Sequence, residues 1–389
     1  MKLRSIAWLA AGCVAAVFGT AGCAGIIAGL TDDTIVYVMD NSAAGNAVHA
    51  WKLNSDGTLT GIGAFPTGGN GTGITETPLA GPNDGIDPLG SQGSIVVSPD
   101  EKYLIAVNAG SGTITIFRIA HSGGLTLVDT ESTGGASPVS VATRSGLVYV
   151  VNVNDPGNNS PSTIVGFSIG SDGTLSPILG SNRQLSAPAA RPSQISVTPD
   201  GTQVIVTERG TNVISAFDIG NSGTLGNPAT VASPRPDPFG FGFVGISRMV
   251  VSEAAAGSLQ GSSASSYNLT AGAPSVISSG VLNAQTASCW VTIAGNRRQA
   301  FVTNSGSNSV TNYDISSGGA LTIQQQAVAT GAATAPIDSG TGRGKFVQLL
   351  GGTGQIATYD INNNGDLVLI GTQSTGLPSL GTQGLAIRQ

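Results

Sequence analysis

Beyond residue 33 the chain is written in short runs of strand character. Some alternate apolar and polar residues with a period of two, as in Thr113-Ile114-Thr115-Ile116-Phe117-Arg118-Ile119 and Val213-Ile214-Ser215-Ala216-Phe217-Asp218-Ile219. Others are almost continuously apolar and end in Asn or Glu: Tyr103 to Asn108, Val148 to Asn152, Val204 to Glu208 and Ala300 to Asn304. A third kind, such as Ser94 to Ser98 or Gln194 to Thr198, runs into Pro-Asp. All are rich in β-branched residues and bounded by Gly, Asn, Asp and Ser, so they predict strands joined by tight turns. A 3.6-residue period appears only in the first two dozen residues. The expectation is an all-β protein.

The turns repeat. Ser55-Asp56-Gly57-Thr58-Leu59, Ser122-Gly123-Gly124-Leu125, Ser171-Asp172-Gly173-Thr174-Leu175, Asn221-Ser222-Gly223-Thr224-Leu225, Ser317-Gly318-Gly319-Ala320-Leu321 and Asn364-Gly365-Asp366-Leu367 are variants of one hairpin. Their leucines are spaced 66, 50, 50, 96 and 46 residues apart, and the long gap holds a degenerate seventh copy at Asn268-Leu269-Thr270-Ala271-Gly272. Four strands per repeat of 40–50 residues predict a β-propeller, here with seven blades. The ends fit this reading. The repeat region opens with three strands, Thr34–Met39, Ala47–Leu53 and Leu59–Phe65, and finishes with one, Gly384–Arg388. Pairing the last strand with the first three completes a blade and removes two open edges.

Composition narrows the class. The 389 residues include 57 glycines, about twice the ordinary share, and only 10% are charged. Net charge is −6, and no basic cluster exceeds Arg297-Arg298, which argues against nucleic acid. Residues 1–22 predict an export signal. Lys2 and Arg4 precede an apolar stretch from Ile6 to Phe18, then small residues Gly19 to Gly22, then Cys23. This resembles a lipoprotein signal, with Thr20 where leucine is usual; an ordinary signal peptide containing a cysteine is the other reading. Cys23 is the expected lipidation site, residues 23–33 a tether, and residues 34–389 the propeller. Ala24 after the lipidated cysteine favours the outer membrane over the inner. Without its leader the chain has 14 basic against 22 acidic residues, a charge of −8. It also keeps one cysteine besides Cys23, Cys289, so no intrachain disulfide is expected. Cys289 sits in an apolar strand and reads as structural.

Strands of a blade are lettered A to D in chain order. A–B and C–D turns share one face, and they are tight. B–C and D–A connections share the other, and five are long: 66–93, 153–162, 180–193, 233–238 and 254–265. Sites collect on long loops carried by rigid scaffolds. Five acidic and basic candidates fall there in blades 4 and 5: Arg191, Glu208, Arg209, Asp237 and Glu253. Gln194, Gln285 and Asn304 lie at the same strand ends. Asp360 to Gly365 mimics the start of a calcium loop, but its twelfth position is Gly371, so a turn is expected and no metal.

The run Arg191-Pro192-Ser193-Gln194 to Thr207-Glu208-Arg209-Gly210-Thr211-Asn212 is similar to the lactonase-type (YVTN) seven-bladed propeller family, which includes 6-phosphogluconolactonase-like and carboxymuconate-cyclase-like proteins. Pro238-Phe239-Gly240-Phe241, Val251-Ser252-Glu253-Ala254, Gln285-Thr286-Ala287-Ser288-Cys289-Trp290 and Phe301-Val302-Thr303-Asn304 extend the resemblance. It implies a hydrolase for a sugar or carboxylated lactone that needs no cofactor. Glu208 or Glu253 would activate water, and Arg209 or Arg191 would hold an oxyanion, a carboxylate or a phosphate. Arg191, Gln194, Asp237, Gln285 and Asn304 would bind ligand. Lactone-handling members place histidine after proline at the A-strand entrances. Here those positions read Pro138-Val139, Pro192-Ser193, Pro238-Phe239 and Pro336-Ile337, and His49 and His121 lie on outer strands. The alternative is therefore kept open: a monomeric, non-catalytic propeller of the cell envelope that binds a ligand, polymer or protein.

Overall fold

A computed structural model describes residues 33–77, 84–154 and 161–389. The export segment, Cys23, most of the tether and parts of the 66–93 and 153–162 loops lie outside the described residues. Asp33–Gln389 forms one compact unit.

Seven antiparallel sheets make a seven-bladed propeller. Strand Gln383–Arg388 pairs with Ile35–Met39, from Ile35 opposite Arg388 to Val38 opposite Leu385, and after a register shift Met39 stands opposite Gln383. The last strand of the chain thus becomes strand A of blade 1, and the ring closes between the two ends of the sequence. The remaining A strands are Ile95–Val97, Ser137–Arg144, Pro192–Val197, Pro238–Val244, Ser288–Ile293 and Pro336–Gly342 in blades 2 to 7. They line the axis and touch one another from blade to blade.

The continuously apolar runs are the B strands, and their burial explains their composition. Every residue of Tyr103–Asn108, Gln203–Glu208 and Gln299–Asn304 is buried. Each is covered on both sheet faces by neighbouring blades, so alternation is lost. A fully buried Val, Leu or Ile there contributes about 1.5–3 kcal/mol. The D strands lie outermost and are largely exposed, as in Leu367–Ser374. Blade 3 departs from four strands. Its outer edge is split into Leu175–Pro177 and Arg183–Gln184, both paired with Thr163–Ile169. Pro177 has no N–H to continue the ladder, and the edge resumes only after the intervening turn.

Two features shape the axis. In blades 3 to 7 a register shift interrupts the start of strand A, at Pro138/Ser140, Pro192/Gln194, Pro238/Phe241, Ser288/Trp290 and Pro336/Ser339. In blades 4 to 7 the residue just before the strand has a left-handed φ: Arg191 +49°, Asp237 +59°, Ala287 +54° and Ala335 +39°. Such a kink re-aims one side chain per blade. The second feature is the short A strand of blade 2, preceded by a segment that crosses the axis. Gln92 donates its backbone N–H to Ser193 O at 3.0 Å. Its side-chain amide pairs with both backbone groups of Val291, each at 2.9 Å. Blades 2, 4 and 6 are thereby latched together through the middle of the ring.

Candidate functional site

A cavity of about 620 Å³ opens on the long-loop face above that latch. This is within the usual range for small-molecule sites. All four left-handed residues of blades 4 to 7, Arg191, Asp237, Ala287 and Ala335, line it. A periodic backbone kink therefore delivers a cation, an anion and two small residues to one mouth. Arg209 joins from the end of strand B in blade 4, and Asp84 and Asp87 come from the 66–93 loop.

The floor is apolar. Phe239 and Trp290 meet edge to face at 5.2 Å between ring centres, and Trp290 Nε1 donates to Ser91 O at 3.0 Å. Cys289 also lines the floor. Burial pushes its thiol far up, which keeps it protonated and unreactive. The Arg209 guanidinium lies 5.1 Å from the centre of the Phe239 ring, a cation–π contact that fixes its plane. Asp237 is held at both ends. Its N–H donates to Asn212 Oδ1 at 2.8 Å, and its Oδ2 accepts from Ala256 N at 2.6 Å.

The ionisation of Asp87 is strongly altered. Loss of water around the half-buried carboxyl pushes it up to about 7, although Arg209 and a hydrogen bond from Ser91 N at 3.3 Å act the other way. Arg209 in turn is drawn down by burial and by the positive charge of Arg191. The cavity thus holds a carboxyl that titrates near neutrality, two guanidiniums and an apolar floor.

The structure brings together three of the sequence-predicted residues, Arg191, Arg209 and Asp237. The other five do not line the cavity, which corrects the expected arc. Glu208 and Glu253 are fully buried behind it. Glu208 accepts from Ser215 Oγ at 2.5 Å, from Thr211 Oγ1 at 2.9 Å and from the Ser186 hydroxyl. Glu253 accepts from Ser265 Oγ at 2.6 Å, Ser233 Oγ at 3.2 Å and the Ser263 hydroxyl, and burial raises its pKa. Gln194 spends its amide on Phe241, accepting from its N–H at 2.6 Å and donating to its carbonyl at 3.1 Å. Gln285 accepts from Ser309 Oγ at 3.0 Å, and Asn304 donates to the same oxygen at 3.0 Å. Glu208, Glu253 and Asn304 end B strands buried between blades and Gln194 lies in a buried A strand, so their polar groups must be satisfied internally, whereas Gln285, half-buried in the D–A connection before blade 6, spends its side chain on Ser309 and the Asn283 carbonyl.

Asp87 was missed by sequence reasoning. Its loop lies on the face that the repeat predicts, but a Gly- and Pro-rich segment has no period from which to read which side chain turns inward. His49 pairs with Asp40 at 3.1 Å on blade 1, away from the cavity. Among the described residues no cluster of three or more His, Cys, Asp and Glu could hold a metal.

Residues 30–178 match the family described as Lactonase, 7-bladed beta-propeller. The chain also superposes on solved propellers at low identity. A Bacteroides fragilis protein described as a 6-phosphogluconolactonase candidate matches at TM-score 0.69 and 16% identity, over 93% of this chain and 99% of that one. A periplasmic gluconolactonase from Pseudomonas aeruginosa matches at 0.67 and 15%, over 91% and 98%. A protein from Lactobacillus plantarum matches at 0.69 and 16%, over 92% and 99%. No curated protein matches the sequence. The lactonase-type resemblance is thus carried by sequence over residues 30–178 and by fold over 91–93% of the chain.

Proposed function

We propose that the long-loop cavity hydrolyses a lactone bearing an anionic or polyhydroxyl substituent, a sugar-acid lactone being the favoured class. One observation carries this reading: a carboxyl that titrates near neutrality, Asp87, shares the cavity with Arg209 and Arg191. Ionised Asp87 takes a proton from water as the water oxygen adds to the lactone carbonyl. A guanidinium stabilises the oxyanion of the tetrahedral intermediate. Collapse breaks the ring C–O bond, the proton returns to the departing alkoxide, and a hydroxy acid leaves. The second guanidinium, lining the same cavity, would bind a substrate carboxylate or phosphate. The match of the first three blades to a lactonase family supports the reaction class.

Acid release from sugar-acid lactones in a pH-stat tests the reading. Asp87→Asn should lower kcat by about 10²–10⁴-fold. Wild-type activity should rise with pH through about 7 as the carboxyl ionises. A wild-type protein that hydrolyses no lactone, yet binds sugar acids saturably and loses that binding in Arg191→Ala, would replace this reading with a non-catalytic envelope binder.

We further propose that the protein is exported and anchored through a lipidated Cys23, with the propeller outside the cytoplasm. Incorporation of labelled fatty acid should disappear in Cys23→Ser; a variant that is still labelled would refute the anchor.

A further inference from the structure

A second cavity, of about 810 Å³, lies on the tight-turn face between blades 5 and 6. Its walls are the A–B turns of both blades, the C–D hairpin of blade 6 and Asn364 from the C–D hairpin of blade 7. Arg248, Arg297 and Arg298 line it. The arginines reach across the blade boundary in both directions. Arg297, from the turn of blade 6, places Nη1 3.8 Å from where a Cβ on Gly245 of blade 5 would stand. Arg248, from blade 5, runs along Gly319 of the blade 6 hairpin, with Cδ 2.7 Å from the corresponding point. Both glycines have left-handed φ, +66° and +90°, so each arginine passes a turn position that carries no side chain.

None of the three arginines forms an ion pair among the described residues, whereas Lys52, Lys102 and Lys345 pair with Asp33, Asp100 and Asp360. Asp314 is the acidic residue of the cavity, and Gln299 Nε2 donates to its Oδ1 at 3.2 Å. Three guanidiniums against one carboxylate leave a local positive field in a chain of net charge −6. Ser316, Ser317 and Asn364 add neutral polar groups to the wall.

We propose that this cavity is a binding site for a phosphate-bearing ligand, held by Arg248, Arg297 and Arg298. A carboxylate is satisfied by a single guanidinium fork, whereas a phosphate presents three acceptor oxygens and can engage forks from two blades at once. Two sources share this chemistry: a soluble phosphorylated molecule and a phospholipid headgroup. The second is relevant because the chain joins the propeller on this same face. The Thr34 methyl lies 2.6 Å from the Cβ point of Gly342 in the A–B turn of blade 7, and the neighbouring Asp33 pairs with Lys52 at 2.8 Å.

The test has two arms. Pyrophosphate is titrated into the full protein by calorimetry, and the protein is sedimented with phosphatidylcholine vesicles with or without phosphatidylglycerol. Binding in at least one arm is expected, weakened on the order of tenfold or more in the exposed-turn double variant Arg297→Ala/Arg298→Ala and by added salt. Lactone turnover on the opposite face should not change. Pyrophosphate binding identifies a soluble source, and sedimentation confined to anionic vesicles identifies the headgroup. Absence of binding in both arms, or equal binding by the double variant, would overturn the proposal.

Discussion

Glu208 and Glu253 end the B strands of blades 4 and 5 where Asn108 and Asn304 end those of blades 2 and 6. The position does the same work in all four. Asn108 donates to Thr113 and Thr115, and Asn304 to Ser309 and Thr311, each at 3.0 Å, on the neighbouring C strand. Glu253 accepts from Ser263 and Ser265 at the equivalent places, with the direction of the bonds reversed. These glutamates are therefore positional variants of a structural amide. Glu208→Leu would strand the hydroxyls of Ser186, Thr211 and Ser215 and should cost about 3 kcal/mol in urea unfolding. Turnover per folded molecule should stay within roughly threefold, since no group of the cavity is lost. Loss of turnover without loss of stability would return Glu208 to the chemistry. Asp87 behaves in the opposite way. The folded state holds its proton up to about 7, against an ordinary value of 3.8. Its contribution to stability is complete below the ordinary value and is lost as pH rises through 7. Asp87→Asn should therefore be the more stable protein at pH 8, by about 1–2 kcal/mol once solvent access is discounted, while its kcat falls by about 10²–10⁴-fold.

At the scale of the element, the glycine hairpin that reveals the repeat is also the joint between blades. The seven glycines Gly57, Gly123, Gly173, Gly223, Gly272, Gly319 and Gly365 all have φ between +78° and +95°. Only glycine adopts this conformation without strain. Several carbonyls of these glycines are capped by the preceding blade. Tyr37 donates to Gly123 O at 2.9 Å, Tyr149 to Gly223 O at 2.8 Å, Ser266 to Gly319 O at 2.7 Å and Asn312 to Gly365 O at 2.9 Å. The leucine two positions after several of these glycines is buried, and its N–H finds an acceptor next door, as Leu175 does in Asp129 and Leu367 in Gln325. Tyr149→Phe removes one such bond and leaves a buried carbonyl unpaired. It should lower stability by about 1 kcal/mol and leave catalysis alone; an unchanged unfolding midpoint would show that water replaces the tyrosine.

At the scale of the molecule, stability depends on a contact between the two ends of the propeller chain. Strand Gln383–Arg388 pairs with Ile35–Met39 and packs beside the A strands of blades 7 and 2. Arg388 Nη1 donates to the carbonyls of Ala120 and His121, at 3.0 and 2.9 Å, binding the last strand to blade 2. Removing residues 383–389 uncovers the edge of Ile35–Met39 and opens the ring. The truncated protein should form oligomers by size-exclusion chromatography through that edge. A truncated protein that stays monomeric with an unshifted melting point would show that closure contributes little.

The sequence by itself determined the class, the number of blades and the closure, because those follow from local rules. Period-two alternation marks a strand, a glycine at positive φ marks a hairpin, and Gly57 to Gly365 repeat once per blade whatever surrounds them. It also placed Arg191, Arg209 and Asp237 at one mouth, since position in the repeat fixes the face. Only the tertiary structure decided which polar strand ends turn toward the cavity and which toward the neighbouring blade. That choice separates Arg209 from Glu208 although they are adjacent in the chain. Asp87 came to light only there, because an aperiodic loop is folded by what it packs against, and Asp87 reaches the cavity through the Ser91–Gln92 crossing that other blades hold in place.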